Sequence, residues 1–248
     1  MRIDVPTLVL ALVMTCLMQV LALLTQFRVH GTRRGLRWWT AGNAVMAVGW
    51  VISFLRSIPS IRLLTISTSV PLIVSGFACF TVGIHRFYSR KVRPGPILAI
   101  LGGFVLVHLY FALVRDEYSV RSAAFQLVIA VYDFLIARVC LSQRTRPLSS
   151  SERLLVAVFT VGGIFFSAMA LATILGLSGR EIFSASPLHT GAYVVGLGLY
   201  ILWTTAFILA LKEQAEESLR ASESRYRFLT ENMVDVVWTL DPGTGRFT

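Results

Sequence analysis

Seven separate stretches of this chain are apolar over roughly the 20 residues that an α-helix needs to cross ~30 Å of hydrocarbon. They are residues 5–27, 38–55, 63–84, 96–114, 122–142, 154–177 and 188–211, the second being the shortest. Only 15% of the residues are charged, against about 25% in a soluble domain, so a water-soluble core does not account for the chain. The predicted fold is an all-α membrane protein, a seven-transmembrane-helix bundle.

The arginines predict its orientation, because short basic loops are retained on the cytoplasmic side. The loop after the first span carries Arg28, Arg33, Arg34 and Arg37; the loop after the third carries Arg86, Arg90, Lys91 and Arg93; the loop after the fifth carries Arg144, Arg146 and Arg153. The alternate loops hold only Arg56 and Arg62, then Arg115 and Arg121, then Arg180. Seven spans then place the N-terminus outside and the C-terminus in the cytoplasm. The net charge of +10 is explained by this topology and by anionic headgroups as membrane partners, because the basic residues do not form one contiguous face of the kind nucleic acid requires. Val5–Phe27 is too long for the apolar region of a cleaved signal peptide and reads as a signal anchor. Cys16, Cys79 and Cys140 lie inside apolar spans without CxxC spacing, which supports neither a disulfide framework nor a zinc site.

Within the spans, small residues predict helix contacts: Ala168, Ala172 and Gly176 in the sixth, Ala192 and Gly196 in the seventh. Polar residues in hydrocarbon are costly and therefore mark candidate sites. Asp133 is the one acidic residue well inside an apolar stretch; Asn43 and Gln19 lie at comparable depth and are candidates to hydrogen-bond to it, as a register lock or a sensing cluster. Arg138 lies nearer the cytoplasmic end. His108 and His189 both fall in the outer half of the membrane, where two neutral imidazoles would make a weak metal or haem site between spans four and seven. No HxxxH or HxxH pair supports that site, so the metal prediction is none. A retinal Schiff base needs a buried lysine in the last span, and the only lysines are Lys91 in a loop and Lys212 at a span end.

After Leu211 the sequence becomes charged and free of Gly and Pro over KEQAEESLRASESRYR, residues 212–227. Ala215, Leu219, Ser222, Tyr226, Leu229 and Met233 follow heptad spacing, which predicts a signalling helix over 212–232 that pairs in a parallel homodimer. Continuous with the last span, residues 189–232 would extend roughly 66 Å.

The last 27 residues, SESRYRFLTENMVDVVWTLDPGTGRFT, resemble the start of a PAS domain: an entry helix with Tyr226, Arg227 and Phe228, a turn at ENMVD, a strand at Val236–Leu240, and the turn Asp241-Pro242-Gly243 into a second strand at Arg246-Phe247. On this reading residues 233–248 are an incomplete α+β start, cut before any ligand pocket. The opening VPTLVLALV and the run GLRWWTAGNAVMAVGW resemble the seven-helix N-terminal sensor regions of bacterial PAS-containing signalling proteins. That resemblance implies an inner-membrane sensory module, residues 1–211, not catalytic itself. It would pass a small or lipidic signal to an output domain: a diguanylate cyclase first, with or without a c-di-GMP phosphodiesterase, and a histidine kinase second. No cofactor is expected within these residues, and that of a complete PAS domain stays open. A transporter or intramembrane enzyme using Asp133, and a passive anchor and dimerisation module, are the alternatives.

Overall fold

A computed structural model describes residues 5–30, 35–142, 147–177 and 187–234, and all that follows concerns those residues. The strands expected between Val236 and Phe247 lie outside them. The described residues are almost wholly helical: α1 (Val5–His30), α2 (Leu36–Phe54), α3 (Arg62–Phe87), α4 (Pro94–Leu113), α5 (Tyr118–Leu141), α6 (Ser150–Ile174) and α7 (Pro187–Val234), with two 3₁₀ turns between α2 and α3 at Leu55–Ser57 and Pro59–Ile61. Six helices are long and apolar enough to cross a membrane. The exception is α2, whose Arg37, Trp38, Thr40 and Asn43 dilute its hydropathy. The chain divides into two units, residues 1–208 and 209–248, and α7 contributes to both.

What holds α2 is a close backbone seam with α3. Gly35, Gly42 and Gly49 recur every seven residues on one side, and Ser69, Gly76 and Gly83 on the other. They meet in antiparallel register: a Cβ placed on Gly42 would lie 2.8 Å from the Gly76 carbonyl oxygen, one on Gly49 2.9 Å from the Ser69 carbonyl oxygen, and one on Gly83 3.2 Å from the Gly35 carbonyl oxygen. Small residues at such positions let two helix backbones approach within van der Waals contact. Gly35 has a second role, because its φ of +94° at the start of α2 is a conformation that residues with a Cβ rarely adopt.

Around this seam lies an aromatic core. The Trp39 ring of α2 is stacked between Phe80 of α3 (centroids 4.5 Å apart) and Phe207 of α7 (3.9 Å), with the Phe159 ring of α6 edge-on to it at 6.1 Å. Trp203 of α7 stacks on Phe159 and meets Phe77 edge to face. Such pairs add about 0.5–1.5 kcal/mol each beyond the area they bury. The outer surface is apolar: Leu10, Met14, Leu17, Leu21 and Leu24 form an exposed stripe on α1, as a face against lipid requires.

Two helix ends differ from expectation. α6 stops at Ile174 because Gly176 adopts φ +73° and closes a Schellman turn, with Leu177 N–H donating to the Ala172 carbonyl and Gly176 N–H to that of Thr173. Gly176 is therefore a terminator rather than a packing position, and Ala168 is exposed. α7 continues through Val234, so the expected turn at 231–235 is helical in its first four residues; no Gly or Pro interrupts it there. At its other end α6 opens with a capping box between Ser149 and Glu152.

Candidate functional site

Gln19, Asn43 and Asp133 are all placed in the interior of the bundle, but not in one cluster. Asn43, fully buried, donates through Nδ2 to the Trp39 carbonyl and accepts at Oδ1 from the Tyr200 hydroxyl. Gln19 donates to the Tyr200 carbonyl at 3.2 Å and accepts from Thr204 Oγ1 at 2.8 Å. Polar side chains of α1 and α2 are thus tied to α7, with Tyr200 as the shared centre. Asp133 takes no part: its carboxyl group is fully buried and neither oxygen has a hydrogen-bond partner. The expected bonds from Asn43 and Gln19 are absent because both amides are committed to α7. Asp133 instead borders α6 and α7, its Oδ2 filling the hollow that Gly162 leaves by lacking a Cβ, with Trp203 Nε1 on the same hollow and likewise unpartnered. The ionisable partner that proton or ion transport would call for is not bonded to it.

The two histidines do converge. His108 of α4 and His189 of α7, both nearly fully buried, line one cavity of about 140 Å³ within residues 1–208. His108 Nε2 donates to the Ile66 carbonyl at 2.9 Å, and Nδ1 has no partner among the described residues. His189 packs edge-on against Tyr193. No group of three or more His, Cys, Asp or Glu side chains among the described residues is arranged to hold a metal ion.

One end of the cavity is cationic. Trp50, Ser53 and Arg56 lie three residues apart along α2 and the following 3₁₀ turn, and all three line it, as does Arg121 from the first turn of α5. Arg121, almost wholly buried, spends Nη1 on Asp116 and on the Phe111 carbonyl, while its Nε–H is unpartnered. Arg56, half-buried, makes no hydrogen bond or ion pair among the described residues; burial, then repulsion from Arg121, push its pKa below the ordinary guanidinium value. Trp50 Nε1 and Ser53 Oγ are buried without partners as well. No described lining residue is acidic. The rest of the wall is mostly apolar or aromatic, from Ile73 and Phe77 of α3, Phe125 of α5, Phe165 and Met169 of α6, with Ser122 and Gln126 of α5 as polar members.

Sequence reasoning missed this end of the site because it counted Arg56 and Arg121 only as loop charges. The available signal was the Trp50–Ser53–Arg56 spacing, which puts an indole, a hydroxyl and a guanidinium on one side of the chain. The small stripe expected to pack span seven does not: nothing lies within 4 Å of a Cβ placed on Gly191, Gly196 or Gly198, and Ala192 and Gly196 line the cavity instead.

Past residue 208, Leu219, Tyr226 and Leu229 of the expected seam are 52–74% exposed, Ser222 is exposed and Ala215 half-buried; the side chain of Met233 lies outside the described residues. Lys212, Glu216 and Arg220 form i,i+4 ion pairs at 3.9 and 4.0 Å.

Six long apolar helices, an interior of stacked aromatic rings and an apolar exterior define a multi-pass helical membrane protein. Comparison with known proteins adds no relative: no family model, curated protein or solved structure matches the chain.

Proposed function

We propose that residues 1–211 form the membrane sensory module of a bacterial inner-membrane signalling protein, with seven spans, an outer N-terminus and a cytoplasmic C-terminus. The observation that carries this reading is that one helix, α7, supplies both a cavity wall (His189, Tyr193, Tyr200, Trp203) and the heptad positions of residues 215–229. A ligand that repacks the cavity acts directly on the helix whose exposed Leu219, Tyr226 and Leu229 would pair with a second copy. The output domain, a diguanylate cyclase before a histidine kinase, is what the resemblance of the membrane part to the sensor regions of bacterial PAS-containing signalling proteins implies. α2 is the least apolar span by hydropathy, and its buried Asn43 is tied to Tyr200 of α7.

Topology is checked by reporter fusions. Alkaline phosphatase joined after residue 58 or 117 is expected to be active, and after residue 91 inactive; activity after residue 91 would invert the proposed orientation. Function is checked at the native locus. Exchanging residues 1–211 for an inert spanning anchor is expected to abolish stimulus-dependent output while membrane insertion persists; an unchanged response would assign the module to passive anchoring.

A further inference from the structure

Four of the buried side-chain atoms that lack a hydrogen-bond partner among the described residues belong to residues lining this cavity: Trp50 Nε1, Ser53 Oγ, His108 Nδ1 and Arg121 Nε. A buried polar group left unmade costs about 1–3 kcal/mol, and three of these residues, Trp50, Ser53 and Arg121, carry donors, which favours an occupant that accepts from them. The Arg56–Arg121 end is lined by donors: an indole N–H, a guanidinium N–H, a hydroxyl, and the whole fork of Arg56; Asp116 pairs with Arg121, and no carboxylate among the described lining residues pairs with Arg56. That set accepts an anion with planar, multidentate oxygen geometry, for which arginine is the preferred partner. Ile73, Phe77, Phe125, Phe165 and Met169 of the other walls offer nothing to an anion and much to an apolar body. A cavity of about 150 Å³ accommodates benzene, so the volume here sets the size of that body.

The geometry points to a binding site for a small amphipathic carboxylate, an aromatic or short-chain acid whose carboxylate lies between Arg56 and Arg121 and whose apolar body lies against the Phe77–Phe125–Phe165 walls. This names the signal class of the sensory module proposed above and rests on that reading only for its role, not for the binding itself. Asp116 holds Arg121 in place from its exposed side, which leaves Arg56 as the guanidinium free to meet the ligand. Trp50, which lines the same cavity, adds a neutral N–H. Burial of the site on the non-cytoplasmic side would let an acid from outside the cell reach it without crossing the bilayer.

The test uses the full chain in phosphatidylcholine nanodiscs with radiolabelled benzoate as probe and hexanoate as a second acid. Saturable one-site binding is expected, with benzyl alcohol, which keeps the ring and loses the charge, weaker by at least about tenfold. Arg56→Gln is expected to weaken benzoate by about tenfold or more while leaving benzyl alcohol unaffected, and Trp50→Phe to weaken it a few-fold; matching thermal melts of the variants show that the fold is intact. Inorganic phosphate is expected not to compete. Failure of both acids to bind, equal affinity for benzoate and benzyl alcohol, or loss of benzoate binding when phosphatidylglycerol replaces phosphatidylcholine would overturn the proposal, the last by making a lipid headgroup the occupant. Benzoate binding with no effect on output would sink the sensory role and leave the site standing; a stimulus response that survives with no benzoate binding would do the reverse.

Discussion

Gly42→Ala is expected to destabilise the bundle by about 1–3 kcal/mol, although alanine is intrinsically the better helix former by ~1 kcal/mol. The added Cβ would lie 2.7 Å from the Phe80 ring and 2.8 Å from the Gly76 carbonyl oxygen, and the second of these is backbone, which cannot turn aside. Either α2 and α3 separate or Phe80 leaves its stack on Trp39. Gly102→Ala in α4 makes the same chemical change where nothing lies within 4 Å, and there the propensity gain should show as neutral or slightly increased stability. Unfolding in mixed micelles, followed by circular dichroism, compares the two. If Gly42→Ala and Gly102→Ala shift the midpoint in the same direction, the seam does not carry the load assigned to it.

Asp133→Leu is expected to act in the opposite sense and raise stability by about 2 kcal/mol. Leucine has nearly the shape of aspartate, and the native carboxyl is fully buried with neither oxygen bonded. Gln19→Leu is the matched comparison, because that amide bridges α1 to Tyr200 and Thr204 and its removal should cost about 1 kcal/mol. A costly, unpartnered group retained beside Trp203, a wall residue of the cavity, has its rationale in function, so the stabilised Asp133→Leu chain is also expected to lose stimulus-dependent output. A clear loss of stability on Asp133→Leu would show instead that the carboxyl is tied into the packing.

The helices were legible because twenty apolar residues in a row admit few alternatives, and five of the six apolar helices match their expected stretches to within about a turn at each end. α2 falls below the apolar threshold because its polar side chains answer to neighbours far away in sequence: Asn43 meets a hydroxyl 157 residues on. The α2–α3 seam was present as a seven-residue recurrence of Gly35, Gly42 and Gly49 against Ser69, Gly76 and Gly83, but it becomes visible only when the two helices are laid antiparallel. Four-residue spacing picks out Gly176 and Gly196 instead, a helix stop and a cavity wall. In the site, His108 and His189, the two histidines of the outer half of the membrane, both line the cavity. Arg56 and Arg121 were not, since a guanidinium near a span end reads as a topological marker until the fold shows it turned inward.

The glycine seam also limits how this bundle can move. Its contacts repeat every seven residues and pair backbone with backbone, so the next register that restores them lies one repeat away, about 10.5 Å along the axis at 1.5 Å per residue. No thermal slide covers that distance by small steps, and intermediate offsets drive side chains into carbonyls. α2 and α3 therefore travel as a single strut, and whatever rearrangement a bound molecule sets off is left to the helices around it, α7 among them, where no described atom lies within 4 Å of a Cβ placed on Gly191, Gly196 or Gly198.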